Sequence, residues 1–382
     1  MNVLENKTDF TIEELIGIAQ RENNEKRNYL LVNYMQAKHI PVDPKKALYL
    51  FEKLGEQFYE FYKGKKITFI GFAETATAIG AAIACNFPEE AYYLHTTREK
   101  IDIIKRVVDF QEEHSHATQQ ELFCCDTQQM LFMSEKIVFV EDEITTGKTI
   151  LNFIEKLEQK GICGKQKFVA VSLINSMNQE SLEIFQQKGI EIHYLVKLEN
   201  NFKKITFETQ SETEQMKKEK ITIADFELKD FFGRVEPRVG IKTNIYKKAC
   251  ETLGQDILKF YQLKNKKDKK VLILGTEEFM YPAIVTAKKI EETFEDCIVK
   301  VHSTTRSPIV PSLEENYPIK NKSSFQSVYE KERKTYIYNL EAYDFVIVIT
   351  DAINFNEVGM KELISSLQTY ENHDILVVRW VE

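Results

Sequence analysis

The 382-residue chain has no basic surplus: 59 Asp and Glu outnumber 51 Lys and Arg, for a formal net charge of −8. Binding a phosphate backbone needs a basic face, so the balance argues against nucleic acid as the main partner. The one dense basic run, Lys-Asn-Lys-Lys-Asp-Lys-Lys at 264–270, reads as a solvated loop edge. No apolar run reaches the ~20 residues of a membrane span, so no membrane partner is expected. The first fifteen residues show no basic segment leading into an apolar core, so no secretory signal is expected. None of the six cysteines stands in Cys-x-x-Cys spacing, and Cys124 and Cys125 are adjacent. Reduced thiols, a cytoplasmic location and no zinc site are the expectation.

What is present is the composition of a globular protein, 43% hydrophobic and 29% charged, long enough for two domains. Residues 8–65 read mostly as helix, with apolar side chains spaced by three and four over 9–23 and 43–64. Asp43 before Pro44 is a helix start, and the apolar run between the two helices breaks at Pro41. From residue 66, short apolar runs alternate with helical segments. Strands apolar on both faces predict an α/β fold with a parallel sheet covered on each side. A polar stretch rich in Lys, Glu, Gln and Thr follows, in which Ile-Thr-Phe-Glu-Thr-Gln at 205–210 offers an edge strand. A second alternating segment then runs to the end. The expected division is 1–65, 66–205, a connection at 206–235, and 236–382.

The second segment reads as a degenerate copy of the first. Gly71 and Glu74 match Gly275 and Glu278, and His-Thr-Thr-Arg-Glu at 95–99 matches Ser-Thr-Thr-Arg-Ser at 303–307. Asp142 and Asp351 end strands at near-equal distances beyond Thr97 and Thr305.

The chemistry concentrates at 141–149, Glu-Asp-Glu-Ile-Thr-Thr-Gly-Lys-Thr, where an apolar strand gives way to a helix. A P-loop is excluded, because Asp142 stands where that motif needs its first glycine. A helix starting near Gly147 offers unsatisfied N–H groups that suit a monophosphate. Thr145, Thr146 and Thr149 add hydroxyl donors, and Gly147 permits close approach. Glu141 and Asp142 can accept hydrogen bonds from vicinal hydroxyls and hold a hydrated divalent cation. A phosphate beside a diol describes a ribose 5-phosphate.

The stretch resembles the loop of type I phosphoribosyltransferases that binds 5-phosphoribosyl 1-diphosphate (PRPP). The resemblance implies that Glu141 and Asp142 contact the ribose hydroxyls, with Mg2+ held through water, and that Thr145, Thr146, Gly147, Lys148 and Thr149 wrap the 5-phosphate. Thr145 stands where some purine salvage members carry an acidic base, which places the pattern nearer the orotate-type branch. Ala73, Glu74 and Thr75 correspond to the pyrophosphate loop. Glu74 departs from the usual pattern there; it suits magnesium, an acceptor amine, or simply a helix start. Arg98, at the end of the next strand, is placed for a diphosphate. His114 and His116 fall where these enzymes carry a mobile catalytic loop. They read as donors to pyrophosphate or substrate, or as an incomplete metal pair.

Taken with Lys-His-Ile-Pro-Val-Asp-Pro at 38–44 and Thr-Arg-Ser-Pro at 305–308, these motifs resemble a two-domain family. In it an orotate-type phosphoribosyltransferase is fused to a C-terminal TRSP domain, within tellurium-resistance gene neighbourhoods. The resemblance implies transfer from PRPP to a base-like acceptor in synthesis of a nucleoside-like metabolite, with Lys38 and His39 in an N-terminal hood over the acceptor. A homodimer would suit the class. The second domain keeps Glu278, Thr305, Arg306, Ser307 and Asp351 but has lost the Thr-Thr-Gly-Lys-Thr segment. It either forms another ligand site there or serves to pack. The rival from another class is a non-catalytic PRPP- or nucleotide-binding regulator.

Overall fold

The computed structural model describes residues 1–22, 27–87, 91–99, 105–111, 119–124, 127–162, 167–199, 226–263 and 269–382. The expected edge strand at 205–210 lies outside them. The chain forms two compact units that are not consecutive in sequence. The first comprises Met1–Asp9, Leu48–Phe202 and Val235–Ala249; the second comprises Phe10–Ala47, Lys203–Arg234 and Cys250–Glu382.

Within the first unit the strands are β1 (Val3–Asn6), β4 (Ile67–Gly71), β5 (Ala91–His95), β8 (Lys136–Ile144), β9 (Lys167–Asn175), β10 (Glu191–Leu198) and β12 (Ile241–Lys242). They form one sheet in the order β1-β10-β9-β8-β4-β5-β12. The five central strands are mutually parallel and the two edge strands antiparallel. The helices are α3 (Ala76–Ala84), α4 (Thr127–Met133), α5 (Lys148–Gln159) and α6 (Gln179–Gln187). Between β5 and β8 lies an antiparallel hairpin, β6 (Lys105–Gln111) and β7 (Gln119–Cys124). Strand β8 shows why the sheet is covered on both sides. Ile137 and Phe139 pack with Phe153 and Leu157 of α5, while Val138 and Val140, on the opposite face, are equally buried.

The second unit contains α1 (Ile12–Leu15), β2 (Ile16–Arg21), β3 (Tyr29–Asn33), β11 (Glu227–Phe232), β13 (Lys270–Gly275), α8 (Tyr281–Thr293), β14 (Ile298–Ser303), β15 (Ile309–Val310), β16 (Lys322–Gln326), β17 (Lys334–Tyr338), β18 (Phe345–Thr350), α9 (Glu357–Gln368) and β19 (Ile375–Val381). Helices α2 (Pro44–Tyr62) and α7 (Thr243–Leu263) each begin in one unit and end in the other. Its main sheet, β11-β19-β18-β13-β14, is parallel throughout.

The two sheets are the same object. Position by position, β10-β9-β8-β4-β5 corresponds to β11-β19-β18-β13-β14. The one change of chain order is at the edge, where β11 precedes its sheet instead of following it. The repeat extends to individual hydrogen bonds. Ala73 N–H donates to Thr96 Oγ1 at 2.8 Å, and Glu277 N–H donates to Thr304 Oγ1 at 2.9 Å. The amides of Thr96 and Thr304 donate to the carbonyls of Gly71 and Gly275. The amides of Glu99 and Ser307 donate to the hydroxyl oxygens of Thr97 and Thr305. Gly71 pairs with Val140 and Gly275 with Ile349, which sets Asp142 and Asp351 at equivalent strand ends. The degenerate second copy expected from the sequence is thus present in three dimensions.

One expectation requires correction. The segment 9–23 is not a helix: α1 lasts four residues, and the chain continues directly into β2, which pairs antiparallel with β3 and β15. Thr11 and Glu14 form a complete capping box, which starts a helix. However, Ala19, Leu30 and Val32 have better burial available on a strand face, against Ile309, Tyr317 and Tyr338, and Ile16 is buried as well. Tertiary burial outweighs the helical spacing, which is a weak preference by comparison. The second helix holds: α2 starts at Pro44 and buries Ala47, Phe51, Leu54, Phe58 and Tyr62 at three- and four-residue spacing.

Two histidines lie in the interior of the second unit. His302 of β14 donates from Nε2–H to the Tyr338 carbonyl at 2.8 Å, and burial pushes its pKa down to about 4. His39 is likewise held well below the usual range, first by burial and then by Lys38 and His302 nearby. As pH falls below about 6.5, the unfolded chain takes up a proton that the folded His302 refuses, so stability is lost between that point and pH 4. At about 1.4 kcal/mol per pH unit of that window, the loss approaches about 3 kcal/mol. Thermal unfolding followed across pH 7 to 4 should show this decline, and His302→Gln should make it shallower while leaving the share due to His39; an unchanged slope would remove His302 as a source.

Candidate functional site

Strands β8, β4 and β5 are adjacent and parallel, so their carboxyl ends bring three loops to one edge. In an open α/β sheet that is where ligands bind, most of all where successive connections run to opposite sides. Here β5 lies on one side of β4 and β8 on the other. The sequence-predicted residues Ala73 to Thr75, Thr96 to Arg98 and Glu141 to Thr149 meet at this edge.

The loop after β4 is tightly held. A side chain at Gly71 would meet the Ala76 carbonyl at 2.8 Å, so only glycine lets α3 fold back so sharply. The Ala73–Glu74 peptide is cis. Besides the Thr96 bond, Phe72 N–H donates to the Val140 carbonyl, which ties this loop to β8. Glu74 is 5% exposed, and the Thr77 hydroxyl donates to its carbonyl at 3.2 Å. Thr96 and Thr97 are buried and hold loops in place, while Arg98 is half-buried at the rim.

The loop after β8 is more open. Glu141, Asp142, Thr145, Thr146 and Thr149 are half-buried and Lys148 is exposed. Gly147 is the hinge of the motif. Its φ of +71° is left-handed, it caps α5, and a β-carbon there would lie 2.4 Å from Phe185. Lys148 N–H turns back onto Thr146 Oγ1 at 3.3 Å. Glu141 and Asp142 offer carboxylate oxygens, the donor type that a hydrated magnesium ion takes. Among the described residues no three His, Cys, Asp or Glu side chains cluster as a metal-binding group.

Beneath this loop sits a support with no signature in the sequence. Lys197 of β10 is 9% exposed; its Nζ donates to Asn175 Oδ1 at 3.0 Å and to the Met177 carbonyl at 2.5 Å. Burial lowers its pKa. Met177 in turn lies 3.3 Å from where a Gly147 side chain would start. Alongside, Ser176 Oγ donates to Glu143 Oε1 at 2.8 Å, and Ser176 N–H donates to the Ile144 carbonyl. The turn after β9 therefore fixes the height of the loop at Gly147. Only pairing β10 to β9 brings Lys197 to Asn175.

Other expected residues are elsewhere. His114 and His116 lie outside the described residues. Lys38 and His39, expected in a hood, belong to the second compact unit. Lys38 is 1% exposed, and its Nζ donates to the carbonyls of Glu277 and Thr304, both at 3.1 Å.

The second-unit residues do gather at the equivalent edge. Arg306 Nε donates to Glu277 Oε2 at 2.5 Å, and Arg306 Nη2 is 3.8 Å from Glu278 Oε1. Thr305 exchanges backbone hydrogen bonds with Tyr336, and its side-chain oxygen accepts from the Ser307 amide. Asp351 Oδ1 accepts from Tyr329 at 2.7 Å, and Arg234 Nε is 3.9 Å from its Oδ2. Glu277, Ser327, Tyr329, Arg333 and Arg234 had not stood out in the sequence.

Comparison with known proteins identifies the family. Residues 15–201 match the family described as "Phosphoribosyl transferase", and residues 236–367 match the "TRSP domain C terminus to PRTase_2". A xanthine phosphoribosyltransferase from Brevibacillus brevis is 24% identical over 160 residues, covering 42% of this chain and 77% of that protein. Among solved structures, adenine phosphoribosyltransferase from Rhodothermus marinus aligns with a TM-score of 0.34 at 14% identity, over 49% of this chain and 96% of that one. The enzyme from Giardia lamblia complexed with 9-deazaadenine gives 0.35 at 13%, over 49% and 95%.

Gly147→Ala tests the loop directly. The left-handed backbone disfavours a β-carbon by about 1–2 kcal/mol before the Phe185 overlap is counted. Both are relieved only by displacing the turn, so binding of ribose 5-phosphate, read by calorimetry, should weaken by about tenfold or more. Unchanged affinity would mean that the phosphate does not sit on this turn.

Proposed function

Residues 15–201 of this chain belong to the phosphoribosyl transferase family and residues 236–367 to the TRSP domain that follows it; from that premise we propose a magnesium-dependent transfer of ribose 5-phosphate from PRPP to a base-like acceptor, with release of pyrophosphate. The observation that carries the reading is the junction of β8 with α5. Two adjacent carboxylates, Glu141 and Asp142, precede a left-handed glycine cap on the helix, beside the loops that follow β4 and β5.

In this reading the N-terminus of α5 and the hydroxyls of Thr145, Thr146 and Thr149 receive the 5-phosphate. Asp142 and Glu141 accept from the ribose 2- and 3-hydroxyls and orient the ring. The loop Ala73 to Thr75 and the guanidinium of Arg98 take the diphosphate. Magnesium, held through water by Glu141 and Asp142, would offset the diphosphate charge. A lone pair on the acceptor, a ring nitrogen, forms the bond to C1 of the ribose. The bond from C1 to the diphosphate oxygen breaks, and its electron pair leaves with pyrophosphate. Positioning and stabilisation of the departing charge supply the catalysis, and no covalent enzyme intermediate is needed. His114 and His116 are assigned as donors on the segment between β6 and β7.

The Brevibacillus relative is named for xanthine and the solved neighbours for adenine and hypoxanthine. Thr145, in place of an acidic base, instead favours an acceptor whose nitrogen loses its proton without a carboxylate at that position. The product would be a nucleotide-like metabolite, in keeping with a stress-response role such as tellurium resistance.

Calorimetry with PRPP, with and without magnesium, is the first test. Binding should require magnesium and weaken by more than about tenfold in Asp142→Asn, which removes one acceptor for a ribose hydroxyl. Pyrophosphate release should then appear with at least one of xanthine, adenine or orotate. Tight PRPP binding with no release for any base would favour the regulator over the enzyme, and silence in both titrations would end the reading.

A further inference from the structure

The second unit has the same sheet, the same strand-end aspartate and the same Thr-Thr-Arg turn as the first, yet its corresponding crevice holds part of its own chain. Between β14 and β18, where the first unit places the β6–β7 hairpin, the second places β16 and β17. The connection at 327–333 lies over the carboxyl edge of the sheet and meets three groups whose first-unit counterparts are assigned to PRPP.

The first is the start of α9, which follows β18 as α5 follows β8. The Asn356 amide donates to the Val328 carbonyl at 2.8 Å, and Asn356 Nδ2 donates to the Ser327 carbonyl at 3.0 Å. A side chain at Gly359 would meet the carbonyls of Ser327 and Gln326 at 2.4 and 2.5 Å, so the hairpin backbone rests directly on the first turn. Carbonyl oxygens thus stand where a helix start would otherwise receive a phosphate. The second group is Asp351, counterpart of Asp142. It accepts from the Tyr329 hydroxyl at 2.7 Å, as a carboxylate there would accept from a ribose hydroxyl. The same hydroxyl is 2.7 Å from Thr276 Oγ1. The third is the loop after β13, counterpart of the pyrophosphate loop. Ala73 is replaced there by Glu277, which is fully buried and reversed in charge relative to what a diphosphate needs. Its carboxylate accepts from Arg306 on one side and from Arg333 and Ser327 of the hairpin on the other.

We infer that the segment 327–333 is an intramolecular occupant of the second unit's ligand crevice, so that the chain binds one PRPP and the second unit is a closed, non-catalytic repeat. A backbone carbonyl, a tyrosine hydroxyl and an arginine replace, in turn, the phosphate, the sugar hydroxyl and the cation-bound diphosphate. The Glu277 substitution and the loss of the Thr-Thr-Gly-Lys-Thr segment belong together, since each removes a site for negative charge and each is matched by a hairpin contact.

The binding half of this inference rests on the proposed function; the occupancy half does not, and the experiment reads them separately. Calorimetry of the full chain with PRPP and magnesium should give one site per chain, unchanged in Tyr329→Phe. Thermal unfolding should fall by about 5 °C in Tyr329→Phe, because a hydrogen bond to a charged group is lost. In an Asp351→Ala background, which removes the acceptor, the same tyrosine substitution should cost clearly less than it does in the wild type, since only the contact with Thr276 is then left to lose. Two PRPP sites per chain, or a second site appearing in Tyr329→Phe alone, would overturn the one-site statement. Additive losses in the double variant would overturn the occupancy by showing that Tyr329 does not act on Asp351. If wild type binds no PRPP, the functional reading fails, and the thermal comparison still decides whether the hairpin is locked to the strand-end aspartate.

Discussion

The parallel register between β4 and β8 is the constraint on which the rest depends. Because Gly71 lies beside Val140, the residues that follow each strand emerge side by side at one edge. The Phe72 amide then reaches the Val140 carbonyl, and the Ala73 amide reaches Thr96, just past the end of β5. One residue of slip in this pairing would turn Asp142 to the other face of the sheet and separate it from the loop it serves.

The same frame, used twice, shows what a fold does and does not decide. Both sheets put an aspartate, a Thr-Thr-Arg turn and a glycine-hinged loop at the same edge. What differs is the treatment of charge. In the first unit the carboxylates lie half-exposed beside hydroxyls and a helix start. In the second, Glu277 and Asp351 are buried against Arg306, Arg333, Arg234 and Tyr329. Removing such charges from water is costly unless each meets a partner, and every contact named here supplies one. The second unit's edge is thus an internal network of the chain's own residues.

Much of this was legible in advance, and for a consistent reason. The strand–helix alternation, the start of α2 at Pro44, the hinge at Gly147 and the repeat of Thr-Thr-Arg all rest on short-range chemistry: periodicity, capping and glycine backbone freedom. The misjudged element was the segment 9–23, where helical spacing predicted a helix and β2 formed instead. There the decision belonged to partners far along the chain, Ile309 and Tyr338 among them. The residues missed at the sites have the same character. Lys197 supports the loop at Gly147 through Asn175 and Met177, and Arg333 reaches Glu277 across many residues of sequence.

The sequence by itself determined the sheet and pointed to the candidate site, because a carboxylate pair, threonines and a glycine within nine residues can be read without knowing what lies around them. Tertiary structure alone decided which distant residues support each strand-end loop. It also decided that the segment 10–47 folds within the second compact unit and that a hairpin lies against Asp351. Contacts of that kind join residues with no local pattern in common, since the gain from burying them appears only once the sheet has brought them together.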